Sequence, residues 1–248
     1  TIAHVVTRQF HSRNGVPGVE EVVGLVQEET LHSPGTALLV LENTHNRAGG
    51  AITPLEVHRA LRTQMQERGV AVHLDGARLF NAAVATGVPA SEFAACADSV
   101  TFCLSKGLGC PVGSVLCGPQ EFIAKARRMR KMLGGGMRQV GILAAAGIYA
   151  LDHHIARLAE DHANARLLAQ GLADAPGITL DTPVPDTNMV YFMTPVPAQQ
   201  FADAMAESSV RCNPMGPFLL RLVTHLDIDA EDIERAIVVI GEVGKRFV

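Results

Sequence analysis

The sequence predicts an α/β fold: a mostly parallel sheet with flanking helices, followed by a small C-terminal α+β domain. Two observations carry this. Short continuous apolar runs, the mark of strands buried on both faces, alternate with amphipathic segments of helical period. After Pro119 the texture changes to a basic helix, a break at Gly134, Gly135 and Gly136, and a long alanine-rich stretch. The boundary is placed near residue 150, giving a large unit over 1–150 and a small one over 151–248, bridged by the long helix.

Residues 18–31 space Val and Glu with helical period until Ser33-Pro34-Gly35 breaks the pattern. The run 37–41 is a strand, and 53–68 is a helix opened by Thr53-Pro54 and closed by Gly69. A strand over 70–74, a helix from about Leu79, and strands over 99–104 and 113–117 follow. Residues 121–133 read as the basic helix and 139–172 as the long one. Residues 178–192, 197–208, 218–223 and 229–246 then read as strand, helix, strand and helix. Functional groups in such sheets gather at the carboxyl ends of strands, where residues 42–45, Asp75 and Lys106 all fall.

At 248 residues the chain can bury a large core, and 48% of it is hydrophobic, yet no apolar run reaches the length of a membrane span. The opening Thr1-Ile-Ala-His-Val-Val6 lacks the basic-then-apolar pattern of a signal peptide. A formal charge of −4 argues against nucleic acid and anionic membranes as partners. The expectation is a soluble, cytoplasmic protein. Cys96, Cys103, Cys110 and Cys117 stand seven apart but cross a helix end, a strand, a loop and a second strand, so they share no face. With Cys212 they make an odd total among apolar neighbours, without metal-ligand spacing, and read as reduced, buried thiols and no metal site. A threonine at position 1 points to an incomplete or processed polypeptide.

The most informative segments are His73-Leu-Asp-Gly-Ala-Arg78 and Cys103-Leu-Ser-Lys-Gly-Leu-Gly109. They put an aspartate at the end of one strand and a lysine at the end of another. A lysine in a tight, glycine-rich, uncharged setting is poorly solvated, which favours the neutral amine that attacks a carbonyl. An aspartate nearby holds a pyridine nitrogen protonated. Those are the two groups that pyridoxal 5'-phosphate chemistry requires of a protein.

These two blocks, with Leu41-Glu-Asn-Thr-His-Asn46, Lys131-Met-Leu-Gly-Gly-Gly-Met-Arg-Gln139 and Leu220-Arg-Leu-Val-Thr-His225, resemble the L-threonine aldolases of low specificity. The resemblance runs in order across the chain. It implies an aspartate aminotransferase-like fold and pyridoxal 5'-phosphate as cofactor. Lys106 would be the Schiff-base lysine with Ser105 beside it, and Asp75 the partner of the pyridine nitrogen. The alternative for Asp75 is a cap for the helix starting near Ala77. Arg78 would contact cofactor or substrate carboxylate; its alternative is a buried ion pair with Asp75. Arg221 would take the substrate α-carboxylate with its fork of donors. His32 would take the proton of the substrate hydroxyl, its alternative being an exposed loop histidine. His45 would order its loop, while His153, His154 and His162 read as surface residues. Lys125, Arg127, Arg128, Arg130 and Lys131 form a basic run, and Lys131 or Arg138 would meet the cofactor phosphate of a neighbouring subunit.

The reaction implied is retro-aldol cleavage of L-threonine or L-allo-threonine to glycine and acetaldehyde, in threonine catabolism and glycine biosynthesis. The partners implied are a small amino-acid substrate and other copies of the chain, as a dimer or homotetramer. Members of the family carry a further N-terminal segment with a phosphate-gripping Gly-Thr loop and a histidine stacked on the pyridine ring. Gly15-Val-Pro-Gly18 is too short to replace that loop and lacks its hydroxyl donors. An inactive or non-enzymatic fragment, and a related amino-acid lyase or hydroxymethyltransferase, stay open as alternatives.

Overall fold

The computed structural model describes residues 5–12 and 14–248; residues 1–4, part of the opening compared with a signal peptide, lie outside the described residues. Helix α1 (Val19–Gly24) is far shorter than the Val/Glu spacing predicts. Only Val22 of it is buried, and an apolar contact that small does not hold a longer helix against solvent. The chain instead makes a hairpin of β1 (Glu29–Thr30) and β2 (Ser33–Pro34).

Strand β3 (Leu38–Glu42) leads through a 3-10 turn, Asn46–Ala48, to helix α2 (Leu55–Glu67). α2 buries His58, Leu61 and Met65 along one stripe and ends at Gly69, whose φ of 66° suits glycine. Next come β4 (Ala71–Asp75), the short helices α3 (Leu79–Thr86) and α4 (Ala90–Ala94), and β5 (Ser99–Cys103). β3, β4 and β5 are parallel; β6 (Ser114–Cys117) returns antiparallel, giving the order β3-β4-β5-β6 among the described residues. Register pairs Glu42 with Asp75 and Asp75 with Thr101, so three carboxyl ends share one edge.

One face of this sheet is sealed: Leu39, Leu41, Val72, Leu74 and Val100 pack with Leu61 and Met65 of α2 and Phe93 of α4. On the other face Leu38 and Val40 are 51% and 50% exposed. The expectation of burial on both faces therefore fails for β3. An apolar run records the chemistry of two faces, not the layers that cover them.

Helix α5 (Gln120–Met132) buries no residue. The single helix expected over 139–172 is two, α6 (Gly141–His153) and α7 (Leu158–Leu172). At the break His154 Nδ1 donates to Leu108 O at 2.7 Å, and Arg157 pairs with the buried Asp161 at 2.7 Å. The bond from His154 to Leu108 is a tertiary contact at the end of α6, and the Arg157–Asp161 pair is a local i,i+4 contact that opens α7.

Strands β7 (Thr179–Leu180) and β8 (Met189–Met193) replace the single strand expected over 178–192, with Pro183 and Pro185 between them. Helix α8 (Ala198–Ala206), β9 (Asn213–Pro214), β10 (Leu219–Val223) and α9 (Ala230–Arg246) complete an antiparallel sheet of order β7-β8-β10-β9. Leu168, Leu172, Phe192, Phe201 and Ile240 are its core. Asp229 caps α9 by accepting from Asp232 N at 3.0 Å. Ala150, where the sequence reading drew its boundary, still packs with Leu104, Leu108 and Cys110, whereas the C-terminal cluster starts at Ala165.

The five thiols are free; Cys96 and Cys110 are buried as expected, but Cys117 is exposed. Among the described residues no helix is long and apolar enough to cross a membrane. His162, read as a surface residue, is buried, and its Nε2 meets Asn81 Nδ2 of α3 at 3.1 Å across the two sheets' layers. His58 is likewise buried, with Nε2 at 3.2 Å from Asn43 Nδ2. The Asn43 amide is oriented by Thr53, donating to its carbonyl and accepting from its N–H. Its Nδ2 therefore donates to a neutral imidazole.

Burial depresses both histidines from 6.5 to about 4. The folded state thus refuses protons that the unfolded chain accepts between those values, so stability is full above pH 6.5 and falls as pH drops towards 4. The expected slope is about 1.4 kcal/mol per pH unit for each histidine in that window. Urea melts at pH 7, 6 and 5 check it, and His58→Gln should flatten the slope; an unchanged slope would show that His58 is not held neutral.

Candidate active site

The edge where β3, β4 and β5 end is walled by a cavity of about 290 Å³ lined by Ser12, Val40, Glu42, His45, Thr53 and Asp75 among others. Asp75 closes β4, and its Oδ1 accepts Ala77 N at 3.0 Å. The capping alternative for Asp75 is therefore realised, but by one oxygen. The other accepts no hydrogen bond from the described residues.

Lys106 lies three residues past β5 on a turn closed by Gly109 N to Lys106 O at 2.8 Å and Cys110 N to Leu104 O at 3.0 Å. Lys106 and Ser105 are exposed, so the poor solvation inferred from the glycine-rich setting is not what the structure has. Glycine flanks remove side-chain bulk but do not themselves exclude water. Ser105 Oγ reaches only Gly113 O, at 3.5 Å.

Arg78 precedes α3 and makes no ion pair with Asp75, or with any other described residue. Burial and the neighbouring Arg221 guanidinium hold its acidity above that of an ordinary arginine, lowering its pKa, against an opposing pull from Glu42 and Tyr191. Arg221 comes from the other sheet, and like Arg78 it has no ion-pair partner among the described residues. That arrangement suits an incoming carboxylate or phosphate.

The loop after β3 joins the sheets. Ile52 N donates to Asp186 Oδ2 at 3.1 Å, Thr187 Oγ1 to Gly50 O at 2.9 Å, Tyr191 Oη to Asn46 O at 2.8 Å and Arg221 Nη1 to Asn46 Oδ1 at 2.7 Å. Gly50 has φ of 76°, and a Cβ there would collide with Thr187 Oγ1. Asn46 and Tyr191, to which sequence reasoning gave no role, join the two sheets beside this edge.

Other residues stay apart. His32 sits exposed beside the β1–β2 hairpin tip and does not line the cavity. His45, expected to order its loop, does so through its backbone, by His45 N to Ala51 O at 2.8 Å. Its ring lies in the cavity wall with Nδ1 buried and without a hydrogen-bond partner among the described residues. Lys131 and Arg138 are exposed and outside the cavity wall.

A profile of the beta-eliminating lyases matches residues 1–195, which take in Asp75, Arg78 and Lys106. The chain belongs to the beta-eliminating lyase family. The chain is 44% identical over 222 residues to the low specificity L-threonine aldolase of Escherichia coli K12, covering 89% of this chain and 64% of that protein. It spans about three-fifths of the length of the curated relatives it matches. The Leishmania major threonine aldolase structure superposes with a TM-score of 0.78 at 19% identity, over 93% of this chain and 68% of that one. A serine palmitoyltransferase (SPT) solved with PLP gives a TM-score of 0.67 at 20% identity, over 93% and 60%. The α/β fold expected from the resemblance is thus the fold this chain has.

Proposed function

We propose that this chain carries the active-site residues of a pyridoxal 5'-phosphate-dependent carbon–carbon lyase, cleaving L-threonine or L-allo-threonine to glycine and acetaldehyde. The observation that carries the reading is that Arg221 of the C-terminal sheet reaches the loop after β3, at Asn46, beside the strand edge that ends in Glu42 and Asp75, with no ion-pair partner among the described residues. The residues fit the cofactor: Asp75 keeps one oxygen free for a protonated ring nitrogen, and Lys106 stands on the loop after the adjacent parallel strand.

When bound, pyridoxal 5'-phosphate supplies the electron sink for charge developing at Cα. Lys106 would hold it through its amine, and the Asp75 carboxylate would favour a protonated ring nitrogen by a charge-assisted hydrogen bond. Arg221, with Arg78, grips the substrate carboxylate and so sets the orientation of the bond to be cleaved. Ser105 is assigned to the cofactor beside Lys106, and Lys131 or Arg138 to the cofactor phosphate of a neighbouring copy. The exposed apolar residues Met129, Met132, Leu133, Met137 and Ile142 support a homo-oligomer, dimer or tetramer. Free thiols support a reducing, cytoplasmic setting, and the reaction a role in glycine biosynthesis.

His32 is assigned the substrate hydroxyl proton. His32→Ala should lower kcat by about 10²–10⁴-fold, the usual range for a general base, and His45→Ala by much less. The larger loss in His45→Ala would transfer the role to the imidazole in the cavity wall.

The family's own name favours a second reading, β-elimination. Incubation with cofactor and a panel of L-threonine, L-allo-threonine and L-serine separates the two. Glycine with acetaldehyde is expected; ammonia with a 2-keto acid would establish elimination, and no product would refute both.

A further inference from the structure

We propose that Asn46 is the positioning residue for Arg221, fixing the guanidinium plane so that its unused donors face the substrate carboxylate. The inference rests on the reading of Arg221 as the partner of that carboxylate. An arginine on a strand edge has several freely turning bonds, and a forked grip requires that they be held. Arg221 on β10 is the register partner of Tyr191 on β8, and cross-strand partners share a face. Both side chains end on Asn46: Arg221 Nη1 donates to its Oδ1 at 2.7 Å, and Tyr191 Oη to its backbone O at 2.8 Å.

Asn46 is itself fixed. Its N–H donates to Glu42 Oε1 at 3.1 Å, and it opens the 3-10 turn Asn46–Ala48. Tyr191 is buried, so the cross-strand pair forms a rigid seat and not a solvated contact. The acceptor offered to Arg221 is a neutral amide oxygen. It orients the cation without cancelling its charge, and among the described residues only Nη1 is engaged, leaving Nη2 and Nε for a carboxylate. A carboxylate at position 46 would orient the guanidinium equally well but would satisfy it, and would repel the substrate.

The backbone bonds to Glu42 and Tyr191 survive any change of the Asn46 side chain, so substitutions there test orientation and charge separately from the loop's fold. The probe is 3-hydroxybutanoate, the threonine skeleton without its amine, titrated calorimetrically into the cofactor-loaded protein alongside KM and kcat for L-threonine. Asn46→Ala should weaken binding and raise KM about tenfold, the worth of one hydrogen bond to a charged group, with kcat changed less than about threefold. Asn46→Asp should weaken binding more than Asn46→Ala. Wild-type affinity in both Asn46 variants, with binding lost in Arg221→Ala, would overturn the role of Asn46 and leave that of Arg221 standing. Wild-type affinity in Arg221→Ala would overturn the reading of Arg221 and the inference with it.

Discussion

Replacing Lys106 with alanine should abolish multiple turnover and leave the fold unchanged. The side chain is exposed, and the turn that carries it is closed by the backbone bonds Gly109 N to Lys106 O and Cys110 N to Leu104 O, which alanine keeps. Substitutions at such positions shift stability by no more than about 0.5 kcal/mol, so lost activity reports chemistry. With no other lysine on the loop after β5, nothing local replaces the amine. The measurement is product formation beside a thermal melt and an absorbance spectrum with added cofactor. The visible band expected of the parent protein should vanish in Lys106→Ala. Retained turnover would remove Lys106 from the mechanism.

Asp75→Asn is the second large effect. An asparagine still offers Oδ1 to Ala77 N, so the turn into α3 is preserved and only the charge is removed. A neutral amide does not stabilise a positively charged ring nitrogen in this partly buried position, and kcat should fall about 10²–10³-fold, the cost of losing one preorganised electrostatic contact. Substrate affinity, set by the arginines, should change far less. A variant with near-parental kcat would reduce Asp75 to a capping residue. Asp75→Ala, which removes charge and cap together, should lower both kcat and melting temperature, and the difference between the two variants isolates the cap.

Much of the large sheet was legible because its strands are short apolar runs and its first long helix is closed by Gly69. The expected strands 37–41, 70–74 and 99–104 are observed as Leu38–Glu42, Ala71–Asp75 and Ser99–Cys103. Arg221 stood out as a charge interrupting an apolar strand. What sequence could not show were features made by tertiary partners. At the break between α6 and α7 His154 bonds to Leu108, 46 residues earlier, and an alanine-rich run carries no local sign of that contact. His162 looked like a surface residue because its burial comes from α3, 81 residues earlier. The link from Tyr191 and Arg221 to Asn46 requires knowing that β8 and β10 pair. Solvent access at Lys106 was misjudged because neighbouring small residues say nothing about more distant cover.

Arg221 and Asn46 are separated by 175 positions in the chain, and Tyr191 and Asn46 by 145. During synthesis the amine and the aspartate emerge long before the arginine that is to hold a substrate. A ribosome-bound chain that has exposed β3, β4 and β5 owns the reactive half of the site and no means of selecting what reacts there. Closing so long a loop is the slow event in assembling such contacts. Selectivity is thus acquired last, when β8 and β10 pair and their two side chains seat on a turn made at the start.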